Sequence, residues 1–439
     1  IIYTAIILLR IRGTQYMKNY KLDTLCVQAG WHPATGESRI PSICQSTTFF
    51  YGDSQAMADC FDLKSDGYFY SRLANPTVAA FEGKVAALDG GAAAIGCASG
   101  MSAVTLAALT LAGSGDNILC SQAVYGGTFN LFGTTLPKLG IECRFFDPDD
   151  SAEHIESLID DKTKFIIAET IANPSMVVLD FGKISGIAKK HGLVLMVDNT
   201  LATPILCQPK QFGADVIIYS TSKYMEGHAG ALGGMIVDAG TFNFKNNPRY
   251  PAFNVPDESY HGLVYADLAV PFGTKCRAQL IRDTGAIMAP MNAYISFIGC
   301  DTLALRMERH SDNAKKVAAY LAKHPKIAWV KHPSLADNKY HALAQKYLPA
   351  GQGGMLSFGI DGDIEKCRTF MESLKLITQE THVADGRSCV LHPASTTHRQ
   401  LSEHELEMAG VPANLVRLSV GIENADDIIA DIAGALEKI

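Results

Sequence analysis

The chain has neither the dinucleotide fingerprint Gly-x-Gly-x-x-Gly nor the phosphate-loop pattern Gly-x-x-x-x-Gly-Lys-Ser/Thr. The first absence counts strongly against a nicotinamide-linked oxidoreductase. It also lacks a basic excess. Lysine and arginine number 38 against 45 acidic residues, which gives a net charge of −7 and a pI near 6.0. Nucleic acid is therefore not an expected partner, and any anion must be held by a local site, not by the overall field. The 11 cysteines include no Cys-x-x-Cys pair and no His/Cys metal spacing. They read as reduced thiols of a cytoplasmic protein, with no metal site. Repeats, low-complexity tracts and long charge runs are absent as well. The apolar stretch Ile1–Leu9 is short of the ~20 residues a membrane span needs. Its arginines, Arg10 and Arg12, follow it, the reverse of a secretory leader. We read residues 1–16 as an extension ahead of Met17, with no membrane association.

What the chain does have is apolar mass and alternation. Hydrophobic residues make up 47% and charged residues 19% of 439 positions, enough for a large core and for two or three domains. Helices are predicted at Pro76–Leu88, with Val78, Phe81, Val85 and Leu88 on one face, and at Met101–Leu111, apolar all round. Strands are predicted at Asn117–Cys120, Glu142–Phe146, Lys164–Ala168, Val194–Val197, Val216–Tyr219 and Gly233–Val237, with helical stretches such as Ser151–Asp160 and Phe181–His191 between them. This rhythm implies a mostly parallel sheet covered on both faces. The prolines of residues 241–290 predict long loops, including a lid or interface segment. A continuous helical pattern follows from Met291 to Lys323, then a smaller α+β unit with a strand at Met355–Ile360 and a helix at Ala425–Lys438. The expected division is an extension (1–16), an N-terminal arm (17–75), a large domain (76–290) and a small domain (291–439).

The chemistry concentrates at predicted strand ends. The run Asp215-Val-Ile-Ile-Tyr219 passes into Ser220-Thr221-Ser222-Lys223. Lysine is rarely buried unless paired, and a lysine beside hydroxyls at a strand end suits imine formation with pyridoxal phosphate (PLP). A surface lysine is the plain alternative. Leu193–Val197 ends in Asp198, an acid able to keep a pyridinium nitrogen protonated, or else a helix cap or metal carboxylate. Gly96–Ser102, with Ser99, Gly100 and Met101, opens a helix whose free N–H groups suit a phosphate, with Ser220 and Ser222 opposite; simple turn chemistry is the alternative. Tyr125 can stack on a ring or merely pack. Asn173, before Pro174, is a turn former or a ligand to the cofactor's phenolic oxygen. Arg417, alone in the apolar run Leu415–Ile422, needs a partner: a substrate carboxylate, or Glu423.

Four separated motifs together resemble the Cys/Met-metabolism PLP-dependent enzymes: Asp215–His228, Tyr70–Thr77, Ser99-Gly100-Met101 and Arg417–Glu423. The resemblance runs from Leu22 to the C-terminus. Ser222 stands where the family usually has Thr, and Ala229 is unusual after Gly227-His228. The resemblance implies the aspartate-aminotransferase architecture (PLP fold type I), with a small α+β C-terminal domain. It also implies roles: Lys223 as the imine lysine and general base, Asp198 on the ring nitrogen and Tyr125 stacking on the ring. Asn173 would contact the phenolic oxygen. Ser99, Gly100, Met101, Ser220 and Ser222 would surround the phosphate. Arg417, with Asn173 and Ser388, would hold the substrate. Tyr70 and Arg72 would reach the phosphate of a neighbouring subunit, so a homo-oligomer, usually a tetramer, is implied. Within the family, Leu391–His398, Gly351–Phe358 and Tyr260–Leu263 look most like O-acetylhomoserine sulfhydrylases, which act on a small amino-acid ester and sulfide or methanethiol. Methionine γ-lyases, which carry a cysteine where this chain has Gly127, and cystathionine γ-lyases or synthases are the neighbouring alternatives.

Overall fold

A computed structural model describes residues 20–65, 67–396, 399 and 411–439. The extension read at 1–16, Met17, and Thr397 and His398 of the tail motif lie outside the described residues.

Seven strands form the larger sheet: β1 (Ala93–Cys97), β2 (Asn117–Ser121), β3 (Glu142–Phe146), β4 (Thr163–Glu169), β5 (Val194–Asp198), β6 (Val216–Tyr219) and β7 (Gly234–Asp238). Their order is β1-β7-β6-β5-β4-β2-β3. The pairs from β3 through β2, β4 and β5 to β6 are parallel, and β7 alone runs against its neighbours β6 and β1. The central strands are buried along almost their whole length, and apolar between their ends, because helices cover both faces. The helix Phe181–His191 shows how the coverings are delimited. Asp180 accepts from the Lys183 N–H at its start, Gly192 takes the left-handed conformation after its end (φ 65°), and Lys189, Lys190 and His191 face the negative end of the helix dipole.

Strand β1 is absent from the sequence reading. Its Ala-Ala-Ile-Gly-Cys composition has little strand preference, and it exists because tertiary partners hold it. It pairs with β7, and the Gly96 N–H donates to Glu82 Oε1 at 2.7 Å, while Glu82 is ion-paired to Arg277 at 2.8 Å. The helical pattern at 291–323 also differs: it divides at Thr302 into Pro290–Asp301 and Leu303–Leu321. Buried Arg306 explains the break. Its guanidinium donates to the carbonyls of Gly299 (2.6 Å), Tyr224 (2.6 Å) and Met225 (3.3 Å), and so ties the corner to the segment after Lys223. The first of the two helices is held against the helix Pro76–Asp89 by buried Lys84, ion-paired to Asp301 and lying 3.7 Å from the Phe297 ring centroid. Part of the predicted loop region is also anchored. Phe244, Tyr250 and Phe253 are buried, and the Phe244 and Phe253 rings stack at 4.0 Å.

The smaller sheet contains β8 (Ile327–Lys331), β9 (Met355–Ile360), β10 (Thr378–Gln379), β11 (Cys389–Leu391) and β12 (Leu415–Ser419), in the order β10-β11-β12-β9-β8. Val416 and Leu418 pack with Phe358, Ile428 and Ile432 between sheet and helices. Arg417, between them in sequence, points to the other face by strand alternation. Among the described residues no helix is long and apolar enough to cross a membrane.

Candidate active site

The carboxyl ends of β4, β5 and β6 converge, the usual position for ligands in an open α/β sheet. Glu169 and Asp198 are register partners at the last positions of β4 and β5, so the two acids stand side by side. The Thr200 N–H donates to Asp198 Oδ1 at 2.9 Å, and Thr200 Oγ1 accepts from the Ser220 N–H at 2.8 Å. Thr200 thereby couples the acid of β5 to the hydroxyl segment after β6. Glu169 accepts from the Tyr125 N–H at 2.6 Å and from the Asn173 N–H at 3.3 Å, and so draws both residues to the same edge. The Tyr125 side chain is half exposed, which leaves a ring face open.

The turn into the helix Gly100–Leu111 lies against Ser220. A side-chain carbon at Gly100 would stand 2.6 Å from Ser220 Cβ, so this close approach requires glycine. Ser99 Oγ caps the helix by accepting from the Ser102 N–H at 3.1 Å. The N–H groups of Gly100 and Met101, in the first turn, have no intrahelical acceptor. Ser222 is placed differently from its neighbours: its hydroxyl donates to the Gly233 carbonyl (3.2 Å) and accepts from the Gly233 N–H (3.0 Å).

Lys223 is partly buried and has no carboxylate partner among the described residues. Its Nζ lies 3.1 Å from Nδ1 of His382. Burial, reinforced by the Arg417 charge, lowers its pKa below the usual lysine range. Arg417 also lacks an acid among the described residues. Among the described residues its guanidinium reaches only the Thr381 and His382 carbonyls, at 3.3 and 3.5 Å, and its Nε has no partner. Glu423, the alternative partner for Arg417, is instead occupied by Ser388, accepting from its N–H (2.6 Å) and its hydroxyl (3.0 Å). Ser388 is 1% exposed, so its side chain serves this internal network. Tyr70 and Arg72 pack on one another, 5.3 Å from guanidinium to ring centroid, and Arg72 donates to the Arg282 carbonyl of its own chain.

The acids at the sheet end are the mirror image of this unpaired cation. Burial raises the pKa of Asp198, and burial together with the Asp198 charge raises that of Glu169 well above its usual range. Asn173 Oδ1 is buried with no hydrogen-bond partner. Among the described residues the arrangement thus contains buried acids without a cation, a partly buried amine and an arginine without an anion. A protonated pyridine ring bearing an aldehyde and a phosphate, with an amino acid attached, supplies the complement of each. The residues fit PLP.

A model of the Cys/Met metabolism PLP-dependent enzymes matches residues 23–437. The chain belongs to this family. It is 42% identical to an O-acetyl-L-homoserine sulfhydrylase of Leptospira meyeri, over 97% of this chain and 99% of that protein. It is 44% identical to a homocysteine synthase of Schizosaccharomyces pombe, over 94% and 98%. Among solved structures it resembles a Campylobacter jejuni protein, provisionally described as an O-acetylhomoserine (thiol)-lyase and carrying a pyridoxyl-lysine phosphate. The TM-score is 0.92, at 43% identity over 95% of this chain and 100% of that one. The likeness to the metB protein of Corynebacterium glutamicum is weaker, with a TM-score of 0.81 at 31% identity over 96% and 99%. Fold type I and PLP dependence follow for this chain.

Two residues near the lysine escaped the sequence reading. Thr200 adjoins Asp198 and was visible as a hydroxyl after a strand end. His382 lies in the loop Thr381–Arg387, which has no periodicity and no motif, and only its contact with Lys223 marks it.

Proposed function

We propose that the protein is an O-acetyl-L-homoserine sulfhydrylase, a transferase of aminocarboxypropyl groups. In the net reaction the Cγ–O bond of the ester breaks, sulfide forms a Cγ–S bond, and acetate and L-homocysteine are released; methanethiol in place of sulfide would give methionine. The observation that carries this reading is the identity of 40–44% over nearly the full length with proteins named for this reaction. When bound, PLP withdraws electrons from the substrate Cα and so eases loss of its proton.

The roles of this chain's residues follow from their chemistry. Arg417, with no competing acid among the described residues, takes the substrate carboxylate in a two-point contact and so orients the Cα–H bond. The Lys223 amine accepts the Cα proton, and burial helps by depressing its basicity towards working pH. When PLP is bound, Asp198 would hold the ring N–H, Asn173 the phenolic oxygen, and Gly100, Met101, Ser99 and Ser220 the phosphate. Tyr125, with its ring half exposed, would stack on the cofactor ring. Ser222 and Ser388 support the lysine loop and the substrate side through the contacts described above. Residues 17–75, through Tyr70 and Arg72, complete a neighbouring subunit's site in a cytoplasmic homo-oligomer. Residues 76–290 carry PLP and 291–439 form the small domain.

Gly127 favours replacement over methionine degradation. A side-chain carbon there would come 2.5 Å from Tyr125 Cε1, so a cysteine at 127 would displace the ring. The deciding assay supplies the purified protein with O-acetylhomoserine and sulfide, or with methionine alone. Homocysteine from the first mixture is expected. Release of 2-oxobutyrate and methanethiol from the second, with no homocysteine from the first, would overturn the assignment in favour of a γ-lyase.

A further inference from the structure

The proposed function leaves His382 without a task, although no other side chain hydrogen-bonds Lys223 Nζ among the described residues. Its Nδ1 lies 3.1 Å from that nitrogen. Its Nε2 has no hydrogen-bond partner and is 3.8 Å from Asp385 Oδ2. With Nδ1 turned to a donor and Nε2 turned to a carboxylate, the neutral tautomer carries its proton on Nε2. Asp385 is itself held by the Arg387 N–H, which donates to Oδ1 at 2.7 Å, and the His382 carbonyl accepts from Arg417 and from Cys389 Sγ. The loop is thus tied at both ends of the imidazole.

We propose that His382 is a positioning residue for Lys223: neutral Nδ1 accepts a hydrogen bond from the free ε-amine and leaves its lone pair for the substrate Cα proton. The inference rests on Lys223 being the proton-accepting amine. The proton moves from substrate Cα to Nζ and returns from Nζ to the product, so His382 gains and loses nothing. A hydrogen bond from a cation is stronger than one from a neutral amine, so the contact tightens as the amine becomes charged. The contact thus favours the proton-accepting step over the resting state.

Protonated His382 cannot do this. Its Nδ1 would be a donor, and a third cation would stand beside Lys223 and Arg417. The groups facing His382 are Lys223, Asp385, Glu226 and Glu380, and those facing Lys223 also include Arg417 and Cys389. Burial first, and then the lysine charge, lower the imidazole below its ordinary 6.5. The acid-side decline of kcat should therefore lie below that value.

Two readouts test the proposal in the full chain. One is the pH profile of kcat and KM for the holoenzyme with O-acetylhomoserine and sulfide. The other is the ionisation midpoint of Lys223 in the cofactor-free protein, from the pH dependence of its reductive methylation measured by peptide mass spectrometry. For His382→Ala, kcat should fall about tenfold or more and KM should change less than about twofold. The Lys223 midpoint should drop by about one pH unit, because the ammonium has lost its acceptor. His382→Asn keeps an acceptor near the Nδ1 position but cannot titrate. It should retain kcat within about threefold and lose the acidic decline. An unchanged Lys223 midpoint in His382→Ala overturns the proposal, as does a raised KM with kcat intact. Should His382→Ala fail to fold, an unaltered acidic decline in His382→Asn overturns it. If the wild-type chain makes no homocysteine, the methylation midpoint still tests the contact, and the substrate assignment alone is refuted.

Discussion

The two sheets bring opposite electrostatic problems to the site. The larger sheet presents Glu169 and Asp198 at adjacent strand ends, and burial holds both carboxyls above their ordinary range. The smaller sheet presents Arg417 in mid-strand, where burial opposes its charge and no acid answers it among the described residues. Neither sheet neutralises the other, although Lys223, facing Arg417, lies between them. On the proposed reading each is left for a ligand to match: a cationic ring for the acids, an anionic carboxylate for the arginine. On that reading substrate binding is built into the electrostatic mismatch between the two regions.

The sharpest way to break this comparison is to remove the group between the halves. Lys223→Ala should abolish turnover and the visible absorbance of the holoenzyme. A protein that keeps that absorbance would mean that another amine holds the cofactor.

Removing the cation of the small sheet should be the next largest effect. Arg417→Ala is expected to lower kcat/KM roughly a hundredfold or more, with cofactor absorbance retained, as measured by steady-state kinetics and spectroscopy. Loss of absorbance in that variant would mean that the arginine serves the cofactor and not the substrate.

The acids of the large sheet are tested by pH. A carboxyl whose folded pKa is raised contributes stability that is full below the ordinary range and is lost as pH rises through the raised value. The cofactor-free protein should therefore lose Tm with increasing pH through the raised values of Asp198 and Glu169, and PLP should restore it by mass action. Asp198→Asn should flatten that decline and also reduce kcat by about two orders of magnitude. A steeper decline would contradict the burial argument.

The smallest effect concerns the loop between β6 and β7 of the larger sheet, just beyond Lys223. Ala229 adopts φ 59°, a left-handed conformation that disfavours side chains, while the His228 and Gly230 N–H groups both donate to buried Glu226, at 3.1 and 2.9 Å. Ala229→Gly should raise stability by about 1 kcal/mol in denaturant unfolding. No gain would mean that contacts around Glu226 already absorb the strain.

Much of this was legible beforehand because it is local. Strands β3 and β6 and the helix Phe181–His191 match their predicted bounds, since periodicity and capping act within a few residues. Strand β1 was missed because its Ala/Gly composition carries no signal, and the break at Thr302 because amphipathic spacing continues across it. Ser222 and Ser388 show a further limit. Their hydroxyls mark them as polar, but which partner consumes them, Gly233 or Glu423, depends on segments distant in the chain.

By itself the sequence determined which chemical groups end the strands: Asp198 after β5, Lys223 after β6, and a lone arginine within an apolar β12. Those facts follow from alternation and burial over short spans. The tertiary structure alone decided that Glu169 adjoins Asp198, that Arg417 meets no acid among the described residues, and that His382 meets Lys223 at 3.1 Å. The pairing of side chains far apart in the chain is set by topology and packing, and no periodicity along the chain encodes it.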